Sequence, residues 1–365
     1  MTGMLYKKLT IIVFLVLVFG ATVATWGKLE EDSQRTFDPQ AILSGKFARD
    51  FEQRYDRGFS LRQVGLNVWM AVQYLMFNEA KKGLLIGSNG WLFSDEEFIV
   101  AADGEQALKA NLTFIEQASE QLANQGVELI VVLIPSKARL LTSQTGRHNP
   151  ASLHRQMYSQ VINRLSKNSI FTLDGLQEMR AYGQPESLYL KTDTHWTPRG
   201  AELLASRTAA LFYRQLSQLS LNQQAFITEA VGVDSLQGDL LRFLPLAPLF
   251  SDLLPAAEYI DIYQTYPAGD DFDAFISSAE KPQQVVLLGT SFSADRRWNF
   301  DGALKQALAV DVQNLAVMGQ GPIEPMVNFL NNYLSAAKDL KLVVWEIPER
   351  YLPVAYPQAY SQIDL

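Results

Sequence analysis

Apolar residues are arranged along this chain in two alternating ways, as short continuous runs and as longer segments with helical spacing. Runs that are apolar at every position are typical of strands buried on both faces of a parallel sheet. Continuous or nearly continuous runs occur at Val285–Leu288 and, each with a single Glu, at Val127–Ile134 and Leu342–Ile347; further strands are expected at Ile170–Asp174 and Ala309–Val317. Repeated alternation of helix and strand predicts an α/β fold, a three-layer α/β/α sandwich with a mostly parallel sheet.

The segments between these strands carry signals for helix ends and tight turns. Gly126 ends a helical pattern that begins at Glu105, and Pro198 stands in the first turn of another predicted helix. Asn89-Gly90 directly precedes Trp91-Leu92-Phe93, which predicts the turn of a hairpin. These signals place the polar loops between the strands, where functional residues of an α/β fold are expected.

The same patterns divide the chain into regions. Residues 29–84 have helical spacing and are expected to form an N-terminal extension whose aromatic stripe packs in a core or between domains. Residues 85–365 are expected to form the α/β domain. Within that domain, residues 217–280 show no strong period, so we expect an elaborated insertion and not a separate domain.

An uncharged apolar run covers residues 9–26, with lysines before it and acidic residues after it. A run of this length is just long enough to span a bilayer, and the charge asymmetry places the N-terminus inside. We expect residues 1–28 to form a cytoplasmic tip and a signal-anchor, with the rest of the chain in the periplasm at the inner membrane. Thr22-Val23-Ala24 leaves open a cleaved signal peptide and a released protein.

Composition narrows the classes of function. Hydrophobic residues make up 48% of the 365 residues, enough for a sizeable core. The net charge of −8 disfavours nucleic acid as a partner. The chain has no Cys, which excludes a disulfide framework and a thiolate metal site. A multi-histidine zinc site would need His148, His154 and His195 together, although the first two lie in another region, so we expect no metal and no cofactor.

Two segments carry groups suited to nucleophilic catalysis. Asp193 and His195 lie two residues apart on a loop that leads into a predicted helix, so they can aim a carboxylate and an imidazole at one site. Without Cys, a covalent nucleophile must be Ser or Thr. Ser291 follows a predicted buried strand, where α/β sheets bind their ligands. We interpret Ser291 as nucleophile, His195 as general base and then acid, and Asp193 as the group that orients the imidazole.

Further candidates surround this triad. The backbone N–H of Ser291 and the side chain of Gln320 are expected to stabilise an oxyanion, unless Gly319 and Gly321 beside Gln320 merely end a strand.

The candidates for substrate binding lie in two segments of the chain. Lys137 and Arg139 follow a predicted strand and are either substrate-binding residues or solvated surface charges. Trp196 and Arg199, close to His195, complete this set. A local basic groove for a polyanion would use Lys137, Arg139, Arg199, Arg296 and Arg297.

Two motifs together carry a family resemblance. Asp193-Thr194-His195-Trp196-Thr197, followed later by Gly289-Thr290-Ser291-Phe292-Ser293, resembles the SGNH-hydrolase-like domain of the alginate O-acetyltransferase family, the AlgJ and AlgX proteins. Asn89–Phe93 and Pro135–Arg139 are also similar to family segments, so the resemblance spans roughly residues 85–350. Little chain follows this region to accommodate a carbohydrate-binding module, which favours the AlgJ-like branch.

The resemblance implies a polysaccharide O-acetyltransferase that forms an acetyl-serine and acetylates hydroxyls of alginate or a related exopolysaccharide such as cellulose. It also implies a membrane-bound O-acyltransferase as acetyl supplier, and other polysaccharide-export components as partners. Two alternatives stay open. One is a carbohydrate acetylesterase with the same triad. The other is a non-catalytic glycan-binding subunit of an export complex, against which the intact Asp, His and Ser argue.

Overall fold

The computed structural model describes residues 39–58, 62–269 and 283–360, together with scattered positions between 11 and 23. The apolar run predicted at residues 9–26 lies largely outside the described residues. Among those that are described, no helix combines the length and the apolar character needed to cross a membrane.

The described chain forms two compact units, one of residues 1–79 with 244–254 and one of residues 80–243 with 255–365. The strands are β1 (Leu84–Ile86), β2 (Leu92–Ser94), β3 (Glu128–Ile134), β4 (Phe171–Asp174), β5 (Phe226–Leu236), β6 (Glu258–Pro267), β7 (Val285–Leu288), β8 (Gln313–Asn314) and β9 (Leu342–Pro348). The helices are α1 (Pro39–Leu43), α2 (Lys46–Gly58), α3 (Arg62–Val72), α4 (Gly104–Asn124), α5 (Lys137–Leu140), α6 (Ser152–Lys167), α7 (Gly175–Ala181), α8 (Pro198–Gln215), α9 (Ser291–Ala294), α10 (Phe300–Leu308), α11 (Ile323–Asn332) and α12 (Pro357–Tyr360).

A five-stranded parallel sheet in the order β4-β3-β9-β7-β8 forms the centre of the larger unit. Alternate residues of β3 enter two different hydrophobic clusters, Ile130 and Val132 on one face and Leu129 and Val131 on the other. Helices α8 and α10 contribute to the first cluster, while α4, α6 and α11 contribute to the second. Because helices cover both faces, the central strands are apolar at nearly every position. The predicted α/β fold with a parallel sheet is confirmed.

The structure departs from the predicted elements in two places. Strand β8 covers only two residues and not the range 309–317. The chain stays beside β7 beyond this point, since the Leu315 and Val317 N–H groups donate to the carbonyl oxygens of Leu287 and Gly289 at 2.8 and 3.1 Å. The regular strand ends because the Ala316 N–H donates to the Asn314 side-chain carbonyl at 3.0 Å. The second departure is the ribbon of β5 and β6, two antiparallel strands within the segment predicted as an insertion. Most of β5 is exposed, so this strand has no buried face that would produce a period of two.

The predicted hairpin is confirmed, since β1 and β2 pair as antiparallel strands around Asn89-Gly90. The smaller unit contains α1 to α3 followed by a π-helical turn at Gln73–Phe77. Phe47 and Phe51, expected to pack in a core or between domains, are 51% and 46% exposed. The side-chain amide of Asn67 is buried and donates to the Pro245 carbonyl oxygen, which explains why residues 244–254 belong with these helices.

Parallel strands end at the same edge of a sheet, and this geometry collects the loops that matter for function. The carboxyl ends of β3, β7 and β9 lie side by side and lead into residues 135–141, 289–294 and 348–351. Pro198 begins helix α8 in the first helical turn, and the Thr197 hydroxyl caps that helix by accepting from the Gly200 N–H at 3.2 Å. The loop that carries Asp193 and His195 is therefore fixed at its downstream end.

Candidate active site

The side chains of Ser291, His195 and Asp193 meet at the carboxyl edge of the sheet. The Nε2 atom of His195 lies 2.7 Å from Ser291 Oγ, and its Nδ1 atom lies 2.6 Å from Asp193 Oδ1. Both distances are within the range in which a base can accept a proton from a nucleophile and a carboxylate can orient the base. The structure thus brings together the three residues that the two sequence motifs single out.

A tight turn explains how two residues so close in sequence place their side chains against each other. Asp193 Oδ1 also accepts a hydrogen bond from the backbone N–H of His195 at 2.9 Å, which folds the chain back. An antiparallel bridge between Tyr189 and Trp196 closes the loop, and the Leu190 N–H donates to the His195 carbonyl oxygen at 3.2 Å. The same atom of Asp193 therefore fixes both the backbone and the ring of His195.

The Asp193 carboxylate is stabilised in its charged form. Its second oxygen, Oδ2, accepts a hydrogen bond from the Asp239 N–H at 2.9 Å. Burial on its own would raise the pKa of Asp193, but hydrogen bonds and the charge of His195 outweigh burial and lower it to about 2. An ionised Asp193 requires the proton of neutral His195 on Nδ1. The Nε2 lone pair then faces Ser291.

Two acidic residues from the segment between the motifs hold the loop from outside. Glu258, at the start of β6, accepts hydrogen bonds from the N–H groups of Lys191 and Thr192 at 2.8 and 2.9 Å. Asp239 accepts from the N–H and the hydroxyl of Thr194 at 2.8 and 2.7 Å. The sequence analysis missed both residues because nothing local distinguishes them from solvated acids.

Lys137 also binds the loop that carries Asp193 and His195. Its side chain is 1% exposed, and its ammonium group donates to the carbonyl oxygens of Leu190, Lys191 and Asp193 at 3.0, 3.3 and 2.7 Å. The Phe93 ring lies 5.2 Å from the same nitrogen. Burial lowers the pKa of Lys137 to about 8, so the group remains charged at neutral pH. Lys137 contacts the backbone of the triad loop and is not on an open surface.

A buried acid holds the turn that carries Ser291 in the same way. Glu346, in the middle of β9, is fully buried and accepts hydrogen bonds from the Thr290 N–H at 2.7 Å and the Ser293 hydroxyl at 3.0 Å. These two residues flank Ser291. Glycine is required at position 289, because a Cβ atom there would lie 2.4 Å from a carboxylate oxygen of Glu346. The sequence analysis did not single out Glu346, although a lone acid inside an otherwise apolar strand is a signal that could have found it.

Ser291 begins the short helix α9, directly after the capping residue Thr290. Within the part of the chain that the structure describes, the Ser291 N–H makes no hydrogen bond, which leaves it available to a developing oxyanion. Gln320 is exposed on a turn between Gly319 and Gly321, both of which have positive φ angles of 78° and 67°.

This geometry agrees with comparisons against known proteins. Residues 84–349 match the family described as the SGNH hydrolase-like domain of the acetyltransferase AlgX. The chain is similar to the probable alginate O-acetylase AlgJ of Pseudomonas putida, with 41% identity over 344 residues, 93% of this chain and 88% of that protein. The chain belongs to this family.

A solved structure, the O-acetyltransferase domain of Pseudomonas putida AlgJ, has 40% identity and a TM-score of 0.69, covering 77% of this chain and 98% of that one. The alginate biosynthesis protein AlgX of the same organism is more distant, with 25% identity over 276 residues, 73% of this chain and 56% of that protein. The predicted family and its AlgJ-like branch are confirmed, and the chain is an acyltransferase.

The other predicted residues of this family member lie in varied surroundings. Arg139 forms an ion pair with Glu349, whose carboxylate also accepts from the Ser136 N–H at 2.9 Å. Trp196 is fully buried, with its ring centroid 5.2 Å from that of Phe292. Arg199 is exposed and donates to the Tyr182 hydroxyl at 3.3 Å. Of the two arginines, only Arg199 is exposed to solvent.

Two aromatic rings fix the plane of the catalytic imidazole. The Trp298 ring stacks on His195 with centroids 5.4 Å apart and an angle of 24° between the planes, and Phe292 approaches at 4.8 Å. Both aromatic residues are buried. These contacts hold the imidazole in the orientation in which Nδ1 faces Asp193 and Nε2 faces Ser291.

One group of metal-ligating side chains coincides with this site. Donor atoms of Asp193, His195 and Asp239 lie within 4.8 Å of one another. Zinc holds nitrogen and oxygen ligands at roughly 2.0–2.2 Å, which keeps two ligand atoms about 3 Å or more apart. The Asp193 and His195 atoms are 2.6 Å apart and share a hydrogen bond, so this geometry suits a proton and not an ion between them.

Replacing Lys137 with Met should reduce turnover of a chromogenic acetyl ester by about 10- to 100-fold, because three loop carbonyl groups lose a charged donor. The loop should lose its geometry while the domain stays folded, as circular dichroism would show. Lys109→Met, at an exposed position of α4, is the control. Full turnover of a folded Lys137→Met variant would contradict the positioning role.

The pH dependence of stability should identify Glu346. Burial raises its pKa from the ordinary 4.5 to about 7. Between pH 4.5 and pH 7, Glu346 keeps its proton in the folded chain and has lost it in the unfolded chain. The free energy of unfolding therefore falls as pH rises from 4.5 to 7, by about 3 kcal/mol in total, with no further loss above pH 7.

Glu346→Gln removes this titration. Urea unfolding of both proteins at pH 5 and pH 8 should show the stability advantage of the wild type shrinking by about 3 kcal/mol across the interval. Glu105→Gln, at an exposed position of α4, should run parallel to the wild type. Parallel pH profiles for Glu346→Gln and the wild type would show that the buried carboxyl does not titrate in this range.

Proposed function

We propose that this acyltransferase transfers acetyl groups to hydroxyls of an exopolysaccharide, alginate or a related polymer, through an acetyl-Ser291 intermediate. The observation that carries the proposal is the hydrogen-bonded chain from Ser291 Oγ through His195 to Asp193. Relatives named as probable alginate O-acetylases support the polymer. The hydrogen-bonded triad weighs against a purely glycan-binding subunit.

In the first half-reaction, Ser291 Oγ attacks the carbonyl carbon of the acetyl donor while His195 Nε2 takes the hydroxyl proton. The Asp193 carboxylate stabilises the imidazolium that forms, since it already accepts from Nδ1. The free Ser291 N–H stabilises the negative oxygen of the tetrahedral intermediate. The donor leaving group then departs with the proton of His195, and acetyl-Ser291 remains.

In the second half-reaction, a sugar hydroxyl takes the place of the leaving group. His195 Nε2 removes its proton, the sugar oxygen attacks the ester carbon, and Ser291 Oγ departs and recovers a proton from His195. Water can perform the same attack, and the protein would then act as an esterase. Transfer therefore requires a bound sugar that occupies the position of water.

We further propose that the domain lies outside the cytoplasm, held at the inner membrane by the N-terminal apolar run or released by cleavage. The asymmetry of charge around residues 9–26 supports this location. Acetyl-CoA is confined to the cytoplasm, so a membrane-bound O-acyltransferase would have to deliver the acetyl group. Other components of polysaccharide export would supply the polymer.

Trapping the intermediate tests the chemistry. Incubation with a small activated acetyl ester should add one acetyl mass, and peptide mapping by mass spectrometry should place it on Ser291. Ser291→Ala should carry no label, and His195→Ala should acquire none above background. Asp193→Asn should lower turnover by up to about 10⁴-fold, because the wrong imidazole tautomer is favoured.

Ser159→Ala, at an exposed position of α6, is the control for this experiment and should label like the wild type. Label on a residue other than Ser291, or none on a folded wild-type protein, would reject the acetyl-serine mechanism. An ester that is hydrolysed without acetyl transfer to any oligosaccharide would favour the esterase.

A reporter fused to the C-terminus tests the location. An enzyme that is active only outside the cytoplasm, such as alkaline phosphatase, should be active in this fusion, and the charge asymmetry of the N-terminal run is the reason. The same fusion without residues 1–28 should lose activity and serves as the control. Equal activity of the two fusions would contradict the proposed topology.

A further inference from the structure

A cavity of about 310 Å³ lies between α8, α10 and the β5–β6 ribbon, apart from the three triad side chains. Its size falls at the lower end of the range of small-molecule sites, about 300–1,000 Å³. The walls come from Pro198 and Glu202 of α8, from Tyr263 of the ribbon and from Ala307 of α10. The mechanism described above assigns no role to this space.

Trp298 connects the cavity to the triad. Trp298 is fully buried in the wall of the cavity, and its indole stacks on the His195 ring with centroids 5.4 Å apart. A ligand in the cavity would therefore be separated from the catalytic base by one side chain.

The lining suits a ligand that carries many hydroxyl groups. Gln306 adds an exposed amide to the lining, beside the Thr228 hydroxyl and the Asn299 amide, which also hydrogen-bond to Thr265 at 2.8 and 3.2 Å. Tyr263 offers aromatic surface, on which the apolar face of a sugar ring can stack. A few polar groups combined with aromatic walls is the usual composition of a site for a small polar ligand.

Charge limits which part of a sugar can enter. Glu202 lines the cavity, and none of the described lining residues is Lys or Arg. Burial together with the charges of Asp261 and Glu202 raises the pKa of Tyr263, with Arg199 opposing them. A carboxylate brought next to Glu202 would be repelled, whereas neutral hydroxyl groups would be accepted.

We propose that this cavity is an acceptor subsite that holds the hydroxyl-bearing edge of a pyranose ring and keeps any carboxylate of that ring outside. The inference rests on the proposed function, because it names the part of the acceptor that the acetyltransferase recognises. A ring held here is separated from His195 only by the buried Trp298 side chain, so it would anchor the polymer while a neighbouring sugar presents its hydroxyl to the base. The neighbouring Arg199 is exposed and suits a carboxylate directed outward.

Binding measured without turnover tests the cavity. Isothermal titration calorimetry of an alginate hexasaccharide into the full chain carrying Ser291→Ala gives the reference Kd. Adding Ala307→Phe should fill the cavity and weaken binding by about tenfold or more. Adding Tyr263→Phe, which removes one hydroxyl, should weaken binding by about 3- to 10-fold.

Ala210→Phe and Tyr259→Phe are matched controls at exposed positions of α8 and β6 outside the cavity, and they should leave the Kd unchanged. Ala307→Phe and Tyr263→Phe proteins that fold and bind as tightly as these controls would overturn the subsite. Wild-type protein that never acetylates Ser291 would reject the proposed function instead, a separate readout from the Kd.

A third variant decides the orientation of the ring. Glu202→Gln removes the charge and keeps a side chain that can form hydrogen bonds. If the sugar carboxylate stays outside the cavity, the hexasaccharide should bind with a Kd within about threefold of the reference. Tightening of about tenfold or more would place the carboxylate inside the cavity and overturn its proposed exclusion.

Discussion

The ammonium group of Lys137 is the interaction on which the geometry of the site depends. Two of the three triad residues lie on a loop with no strand or helix of its own, so the backbone of that loop needs other partners. Lys137 supplies donors to three of its carbonyl oxygens from a buried position at the end of β3. The buried charge of Lys137 is tolerated because the ammonium group contacts carbonyl oxygens of the loop and the Phe93 ring.

Acidic residues complete this arrangement by binding the N–H groups that Lys137 cannot serve. Glu258 and Asp239 accept from the loop that carries His195, and Glu346 accepts from the turn that carries Ser291. Each half of the triad is thus held by a carboxylate from a different part of the chain. Because hydrogen bonds to charged groups are stronger than those between neutral groups, few residues suffice to hold the loop that carries His195.

The same arrangement gives the segment between the two motifs a role in the fold. Residues of the β5–β6 ribbon and of the connection between its two strands contact the triad loop directly, through Glu258 and Asp239. The ribbon also forms one wall of the cavity beside Trp298. One segment therefore both stabilises the catalytic base and shapes the space next to it, so changes there can affect acceptor recognition without altering the triad.

The amino-acid sequence by itself determined the parallel strands and the identity of the triad. Strands β3, β7 and β9 were recognisable because burial on both faces demands continuous apolar runs, and Asp193, His195 and Ser291 because their motifs occur together in order. Only the tertiary structure decided that Lys137 lies beneath a loop, that Glu346 supports the nucleophile and that the ribbon exists. Hydrogen bonds such as those that Glu258 and Asp239 accept join residues 66 and 45 positions apart. No local pattern encodes such contacts, since an acid that accepts buried N–H groups has the same sequence signature as one that faces water.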